Sequence, residues 1–246
     1  MSDAHQRELA YHEKLYSGFA QSHFARPAVR ALRANMVERI LALTGASRKS
    51  KVLSLGCGIG DTELLLAPHV GEVTGIDLSP TAIGQARADA AKLGIGNARF
   101  ECDTRVSGRF DVAIAIFFLH HLPDDELAAL PAGLRAQLTE GGVFYSLDPS
   151  RHRLSGVVGR LLIPGLMKKY QTEDERELEP SETANLFRRA GWATQVSMYD
   201  FGSSPLAGLF PGWAGGYRLA RKVDDGLLRV SALARRGSNF EIVARV

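Results

Sequence analysis

Three sets of side chains in this chain have types and spacing that can do chemistry. The first is the run Lys51-Val-Leu-Ser-Leu-Gly-Cys-Gly-Ile-Gly-Asp61, where Gly56, Gly58 and Gly60 directly follow an apolar stretch. Glycines put no side chain between a ligand and the backbone, and the helix-forming residues 62–67 come next. These glycines therefore occupy a strand-to-helix turn whose free amides point at a nucleotide-sized ligand. The second is Asp77, at the end of the following apolar run, where a dinucleotide-binding fold places the carboxylate that grips a ribose; its alternative reading is a helix cap or loop aspartate. The third is His120-His121, followed by Leu122 and Pro123. Adjacent histidines point in different directions on most backbones, and no cysteine or carboxylate stands at zinc-like spacing, so no metal site is expected. Histidine, with an unperturbed pKa of about 6.5, can serve as a general base towards a hydroxyl acceptor, or it can tie the loop to backbone carbonyls.

The glycine spacing narrows the ligand. It is Gly-x-Gly-x-Gly, not the Gly-x-Gly-x-x-Gly of pyrophosphate-binding turns, and Asp61 follows immediately. A carboxylate there repels a pyrophosphate but can receive an ammonium, which disfavours a nicotinamide-dependent oxidoreductase. On these residues the chain resembles the class I S-adenosylmethionine-dependent methyltransferases, small-molecule branch, whose first motif is written as apolar residues, then (D/E/S)-x-G-x-G-x-G. Here it reads Ser54-Leu-Gly56-Cys-Gly58-Ile-Gly60, with Ser54 where many members carry an acid, a departure that weakens one expected contact to the methionine end.

The resemblance implies S-adenosylmethionine as cofactor and assigns roles by position. Gly56, Cys57, Gly58 and Gly60 form the turn, Asp77 bonds the ribose, and Leu78 offers an apolar face to the adenine. Asp103, with Thr104 beside it, resembles the acid that accepts from the adenine amino group; the alternative is a turn residue. Phe117 lies near the sulfonium or in the core, and Tyr16 closes over the methionine moiety or lies on the surface. The segment Leu119-His-His-Leu-Pro123 resembles the loop of small-molecule methyltransferases that brings a histidine near cofactor or substrate, so His120 and His121 are the catalytic candidates. Tyr11, His23, Asp148 and His152 are further candidates near the mouth of the pocket. Neither the (D/N)-P-P-(Y/F/W) element of base-modifying enzymes nor the paired glutamates of protein arginine methyltransferases is present, so a small-molecule acceptor is expected, methylated at oxygen in preference to carbon or nitrogen. The alternative is the same fold turned to cyclisation or to a non-catalytic role.

These residues need a scaffold of alternating elements. Apolar runs predict strands at 52–55, 73–76, 99–102, 111–117 and 142–147, with two more at 192–199 and 239–246. Val29, Leu32, Met36, Ile40 and Leu43 recur at helical spacing after Pro27, and Gly45 closes that helix. Ser79 caps another helix that stops near Gly94; a third, holding Leu127, Leu130, Leu134 and Leu138, restarts or kinks at Pro131 and ends at Gly141-Gly142; a fourth begins near Ser181 and ends at Gly191. The expected fold is α/β: a Rossmann-like, seven-stranded, mostly parallel sheet. By the resemblance, its last two strands form an antiparallel hairpin at the sheet edge.

With 246 residues, 45% of them hydrophobic, one domain is expected over 1–246: an N-terminal helical segment (1–47), a cofactor-binding core (48–148), an insertion or lid (151–179) and a C-terminal part of the sheet (180–246). A net charge of +3 is too weak a field for non-specific nucleic-acid binding, so no nucleic-acid partner is expected. Two cysteines beside predicted strands and no apolar leader or spanning stretch fit a soluble cytoplasmic protein. The apolar stretches 154–167 and 206–213 suggest a hydrophobic or lipid-like acceptor. Leu219, Val223, Leu227, Val230 and Ala234 mark one face of a helix crowded by arginines, which either meets an anionic membrane, covers an apolar pocket, or packs on the core with solvated arginines. The oligomeric state is not legible.

Overall fold

Val52, Leu53 and Leu55, then Val112 to Ile116, then Phe144, Tyr145 and Leu147 are buried on both faces of the sheet, as parallel strands covered by helices require. The computed structural model describes residues 25–104, 106–153, 177–230 and 235–246, together with Glu13, His23 and Leu233. Seven strands form one sheet: β1 (Lys51–Leu55), β2 (Glu72–Ile76), β3 (Ala98–Glu101), β4 (Phe110–Ile116), β5 (Leu138–Pro149), β6 (Ala193–Asp200) and β7 (Asn239–Arg245). Their order is β3-β2-β1-β4-β5-β7-β6; β1 to β5 pair in parallel, and β7 runs antiparallel to both β5 and β6. The chain moves outward from β1 to β3 and then returns to β4 on the other side of β1. The crevice outside the carboxyl ends of β1 and β4 is therefore the switch point where such sheets bind ligands.

Helices cover both faces. On one, α1 (Pro27–Thr44) presses Leu32, Met36 and Ile40 onto Val52, Val112 and Tyr145, joined by Ala207 of α6 (Ser203–Leu209) and Tyr217 of α7 (Ala214–Leu227). On the other, Leu127 and Leu134 of α4 (Asp124–Gln137) and Phe187 of α5 (Pro180–Arg189) meet Leu53, Ala115 and Phe144. Between β1 and β3 lie α2 (Asp61–Leu66) and α3 (Pro80–Leu93), the latter capped by Ser79 Oγ, which accepts from the Ala82 amide at 3.0 Å, and closed at Gly94.

The helix carrying Pro131 does not restart at that proline. It runs unbroken from Asp124 to Gln137, with Pro131 buried beside Leu127 and Leu134, so apolar packing outweighs the hydrogen bond that proline removes. Nor does Gly141-Gly142 end it. Strand β5 already begins at Leu138, and the glycines lie in a register shift between the pairs Phe110–Leu138 and Val112–Val143, with Gly141 at φ +73°. The fourth expected helix starts one residue earlier than Ser181 suggested: Pro180 takes the first turn and the Glu179 carboxylate caps it.

The C-terminal helix settles which of its faces meets the core. Helix α7 buries Gly216, Tyr217 and Asp224, and leaves Leu219 and Val223 exposed. The Asp224 carboxylate accepts from the Gly202 and Ser203 amides, which α6 could not otherwise satisfy at its start, so a buried polar requirement fixes the rotation of α7 against its apolar stripe. Ala234 lies outside the described residues.

Candidate active site

The glycine turn, Asp77, Asp103, Phe117 and Asp148 all stand at the carboxyl ends of parallel strands, on one rim of the sheet. Gly56, Gly58 and Gly60 adopt φ of +63°, +53° and +73°, the left-handed region that favours glycine. A Cβ on Gly56 would also meet the Phe118 ring at 2.2 Å. The turn is held from β2: Asp77 Oδ2 accepts from the Gly58 amide at 2.8 Å and Oδ1 from the Ser79 amide at 2.9 Å. A carboxylate has about four acceptor sites, so these two bonds leave Asp77 with acceptor capacity unused by the turn. Replacing it with alanine is expected to lower affinity for S-adenosylhomocysteine by about 10- to 100-fold, read by titration calorimetry; undiminished heat would assign Asp77 to the turn alone.

Other positions are placed differently. The Cys57 side chain packs with Leu64, Ile83 and Phe100, burial pushes its thiol well up, and its amide is bonded to the Ile76 carbonyl. Leu78 is half-buried beside Asp77. Asp103 and Thr104 are exposed, and Asp103 Oδ1 accepts from the Thr104 amide at 2.6 Å. Tyr16 and Tyr11 lie outside the described residues. Glu13 accepts from the Ser79 and Thr81 hydroxyls at the start of α3, which hold its carboxyl below the usual range.

Phe117 is the one described non-glycine residue at positive φ, +54°, where its amide bonds the Leu147 carbonyl at 2.7 Å. Such strain costs about 1–3 kcal/mol and collects at functional sites. Directly after it, in the turn Leu119–His121, His120 Nδ1 lies 2.9 Å from Asp148 Oδ1, and its amide also approaches that oxygen at 3.3 Å. Both residues are buried, and Asp148 Oδ2 has no hydrogen-bond partner among the described residues. The His121 ring lies 4.0 Å from that of His120. His152 sits apart, 3.4 Å from Glu179, and His23 is half-buried with its pKa lowered by burial and by Arg26 and Arg33.

Two residues at this rim were not singled out from the sequence. Arg33 of α1 pairs with Asp61 at 2.7 Å, donates to Thr62 and stands 5.8 Å from the Phe117 ring centroid. Its helix is anchored to the sheet by Arg39 and Tyr145 on buried Glu241, and by Tyr199 on Asn35. The second is Glu63, fully buried in the first turn of α2. Its Oε1 accepts from the Ser54 hydroxyl at 2.6 Å, Oε2 has no partner among the described residues, and burial raises its pKa to about 7. The only sequence signal was Ser54 itself: a missing acid on β1 invites a search for a carboxyl supplied from elsewhere. Among the described residues, no group of His, Cys, Asp and Glu is arranged to hold a metal ion.

A glycine cradle beside a ribose-type carboxylate at the switch point defines a nucleotide-binding α/β enzyme of Rossmann-like architecture. Comparison with known proteins narrows this. The methyltransferase-domain family profile matches residues 52–142. The ubiquinone biosynthesis O-methyltransferase of Aromatoleum aromaticum is 30% identical over 174 residues, 68% of this chain and 72% of that protein. Its namesake from Chromobacterium violaceum is 26% identical over 190 residues, 74% of this chain and 79% of that one. Among solved structures, the DhpI complex with S-adenosylmethionine aligns with a TM-score of 0.63 at 18% identity, covering 100% of both chains. The Synechocystis magnesium protoporphyrin IX methyltransferase with bound S-adenosylhomocysteine aligns at 0.61 and 16% identity, covering 93% of this chain and 87% of that one. The chain belongs to the class I S-adenosylmethionine-dependent methyltransferases, and it is an enzyme of that class with S-adenosylmethionine as its cofactor.

Proposed function

We propose that the protein methylates a hydroxyl oxygen of a small, apolar molecule, with His120 as general base. The observation that carries this is the buried His120–Asp148 pair at 2.9 Å on the rim beside the glycine turn. O-methyltransferases of ubiquinone biosynthesis among the relatives support oxygen as the methylated atom.

The rim suits the cofactor. The Asp77 carboxylate would hold the ribose hydroxyls, the glycines put no side chain over the turn, and buried Glu63 Oε2 and the Arg33 guanidinium are of the right signs for the ammonium and carboxylate of a methionine end. Asp103 and Leu78 would flank the adenine. When bound, S-adenosylmethionine supplies a methyl group already activated by a sulfonium. The chain's own task is then to align the acceptor and remove its proton. Asp148 holds the His120 ring through Nδ1, and the imidazole is the group that takes up the proton of the acceptor hydroxyl. Alignment alone can supply about 7–11 kcal/mol, so the base adds to a barrier already lowered.

The test is incubation of the full chain with S-adenosylmethionine and a series of phenols and aliphatic alcohols of rising apolarity, followed by mass analysis. Gain of one methyl on oxygen, best with apolar members, is expected. Rearranged products of unchanged mass would place the chain with the [4+2]-cyclase SpnF, whose structure aligns at a TM-score of 0.58 and 17% identity, covering 86% of this chain and 80% of that one.

A further inference from the structure

The connection from α6 into α7 exposes a cluster of large apolar side chains that nothing in the site uses. Leu209 is 47% exposed, Phe210 57%, Trp213 58%, Leu219 62%, Val223 53% and Val230 49%. At 100° per residue, Leu219, Val223 and Val230 fall on one stripe of the helix and its continuing turn, away from the face that buries Tyr217 and Asp224. Trp213, the residue just before the helix, lays its ring against Gly216. Along one side of the stripe run Arg218, Lys222 and Arg229, all exposed. The other two charges near it are spent: Arg221 stacks over the Tyr199 ring at 4.9 Å and pairs with Asp225 at 2.7 Å.

We infer that this face docks on an anionic lipid bilayer. Exposed aromatic and aliphatic side chains, edged by a row of cations with no ion-pair partner among the described residues, are the pattern of a helix lying in a membrane interface: the apolar stripe enters the acyl boundary and the basic row meets the headgroups. A partner helix would need the apolar stripe alone and gives no role to three like charges along one border. No described helix is long and apolar enough to cross a membrane. The face is also wired to the cofactor rim. The Ala28 amide at the start of α1 bonds the Pro211 carbonyl at 2.8 Å, between Phe210 and Trp213, and α1 carries Arg33 to Asp61 beside the glycine turn. Resting on the proposed function, this deepens it: the apolar acceptor is one that partitions into lipid, and the enzyme meets it at the bilayer surface.

The chain contains two tryptophans, and Trp192 is buried against Phe187, so an emission shift on adding lipid reports Trp213. The full chain is mixed with vesicles of phosphatidylcholine alone or with increasing phosphatidylglycerol. Expected are co-sedimentation and a blue shift that grow with phosphatidylglycerol and fall with salt. The blue shift should be lost in Trp213→Phe, and binding should be at least about tenfold weaker in the triple variant R218E/K222E/R229E. That variant should keep full turnover of a water-soluble phenol. Absence of vesicle binding, or equal binding to both lipids, overturns the lipid surface. So does concentration-dependent self-association that the triple variant changes, since the face then joins two copies. Methyl transfer to the soluble phenol is scored separately: its presence without vesicle binding sinks this inference alone, and its absence with vesicle binding sinks the proposed function.

Discussion

Replacing His120 with alanine is expected to lower kcat by about 10²- to 10⁴-fold while leaving affinity for S-adenosylhomocysteine unchanged. The imidazole is buried, its Nδ1 is tied to Asp148, and it follows the strained Phe117 at the rim, so its loss removes a proton acceptor without touching the glycine turn or Asp77. The pH–rate profile separates this from a structural defect. In the wild type, activity falls on the acid side as the base takes up a proton, and that limb disappears in His120→Ala. Asp148→Asn keeps an oxygen near Nδ1 but lets the side chain turn its amide to the ring, so an intermediate loss is expected, as for a positioning residue. His121→Ala retains the acid limb. A loss smaller than about tenfold in His120→Ala would leave alignment alone as the chain's contribution, which its share of the barrier permits.

That pair shows where legibility in the sequence stops. The glycine turn could be read because backbone at φ +63°, +53° and +73° demands a particular residue type, and the Ser79 cap because an unsatisfied helix start demands a side-chain oxygen. Each is a local demand. The link from His120 to Asp148 spans 28 residues and exists only because β4 and β5 pair in parallel with Ile116 opposite Leu147, which sets the two residues on one rim. Asp148 stood in the sequence as one of several residues near a pocket mouth, with nothing to prefer it to His152. Arg33 read as part of an amphipathic helix, since its role depends on where that helix docks. For α7, apolar periodicity marked a real stripe, but burial followed the two amides that only Asp224 could satisfy. Periodicity ranks faces by hydrophobicity, whereas an unpaired buried amide costs about 1–3 kcal/mol and can outvote a few partly exposed side chains.

Glu63 carries the second large effect, and it runs opposite to most carboxylates. Burial is the dominant cause of its raised pKa, about 7 against an ordinary 4.5; the hydrogen bond from Ser54 opposes the shift and repulsion from Asp61 adds to it. The folded protein therefore holds this proton between pH 4.5 and about 7, where the unfolded chain releases it. Stability is fully present below the lower value and lost as pH rises through the upper one, a difference of about 3 kcal/mol. Glu63→Gln keeps an oxygen for Ser54 and cannot ionise, so it is expected to melt about 6–12 °C above the wild type at pH 8, with the gap closing near pH 4.5. Thermal melts at those two pH values check it, and equal melting at both would mean that the carboxyl is solvated. A chain keeps such a group when its charge is used. Ser54 occupies the position where related motifs have an acid, and Glu63 brings a carboxyl to that same hydroxyl, with one oxygen left over. An ammonium arriving there would ionise it and recover part of the burial cost on binding. Glu63→Gln is accordingly expected to weaken S-adenosylmethionine binding by about tenfold at pH 8, and to abolish the proton release that calorimetry in buffers of different ionisation heat would detect for the wild type at pH 6. More stable but weaker binding, in one substitution, is the signature of a buried charge held for its ligand.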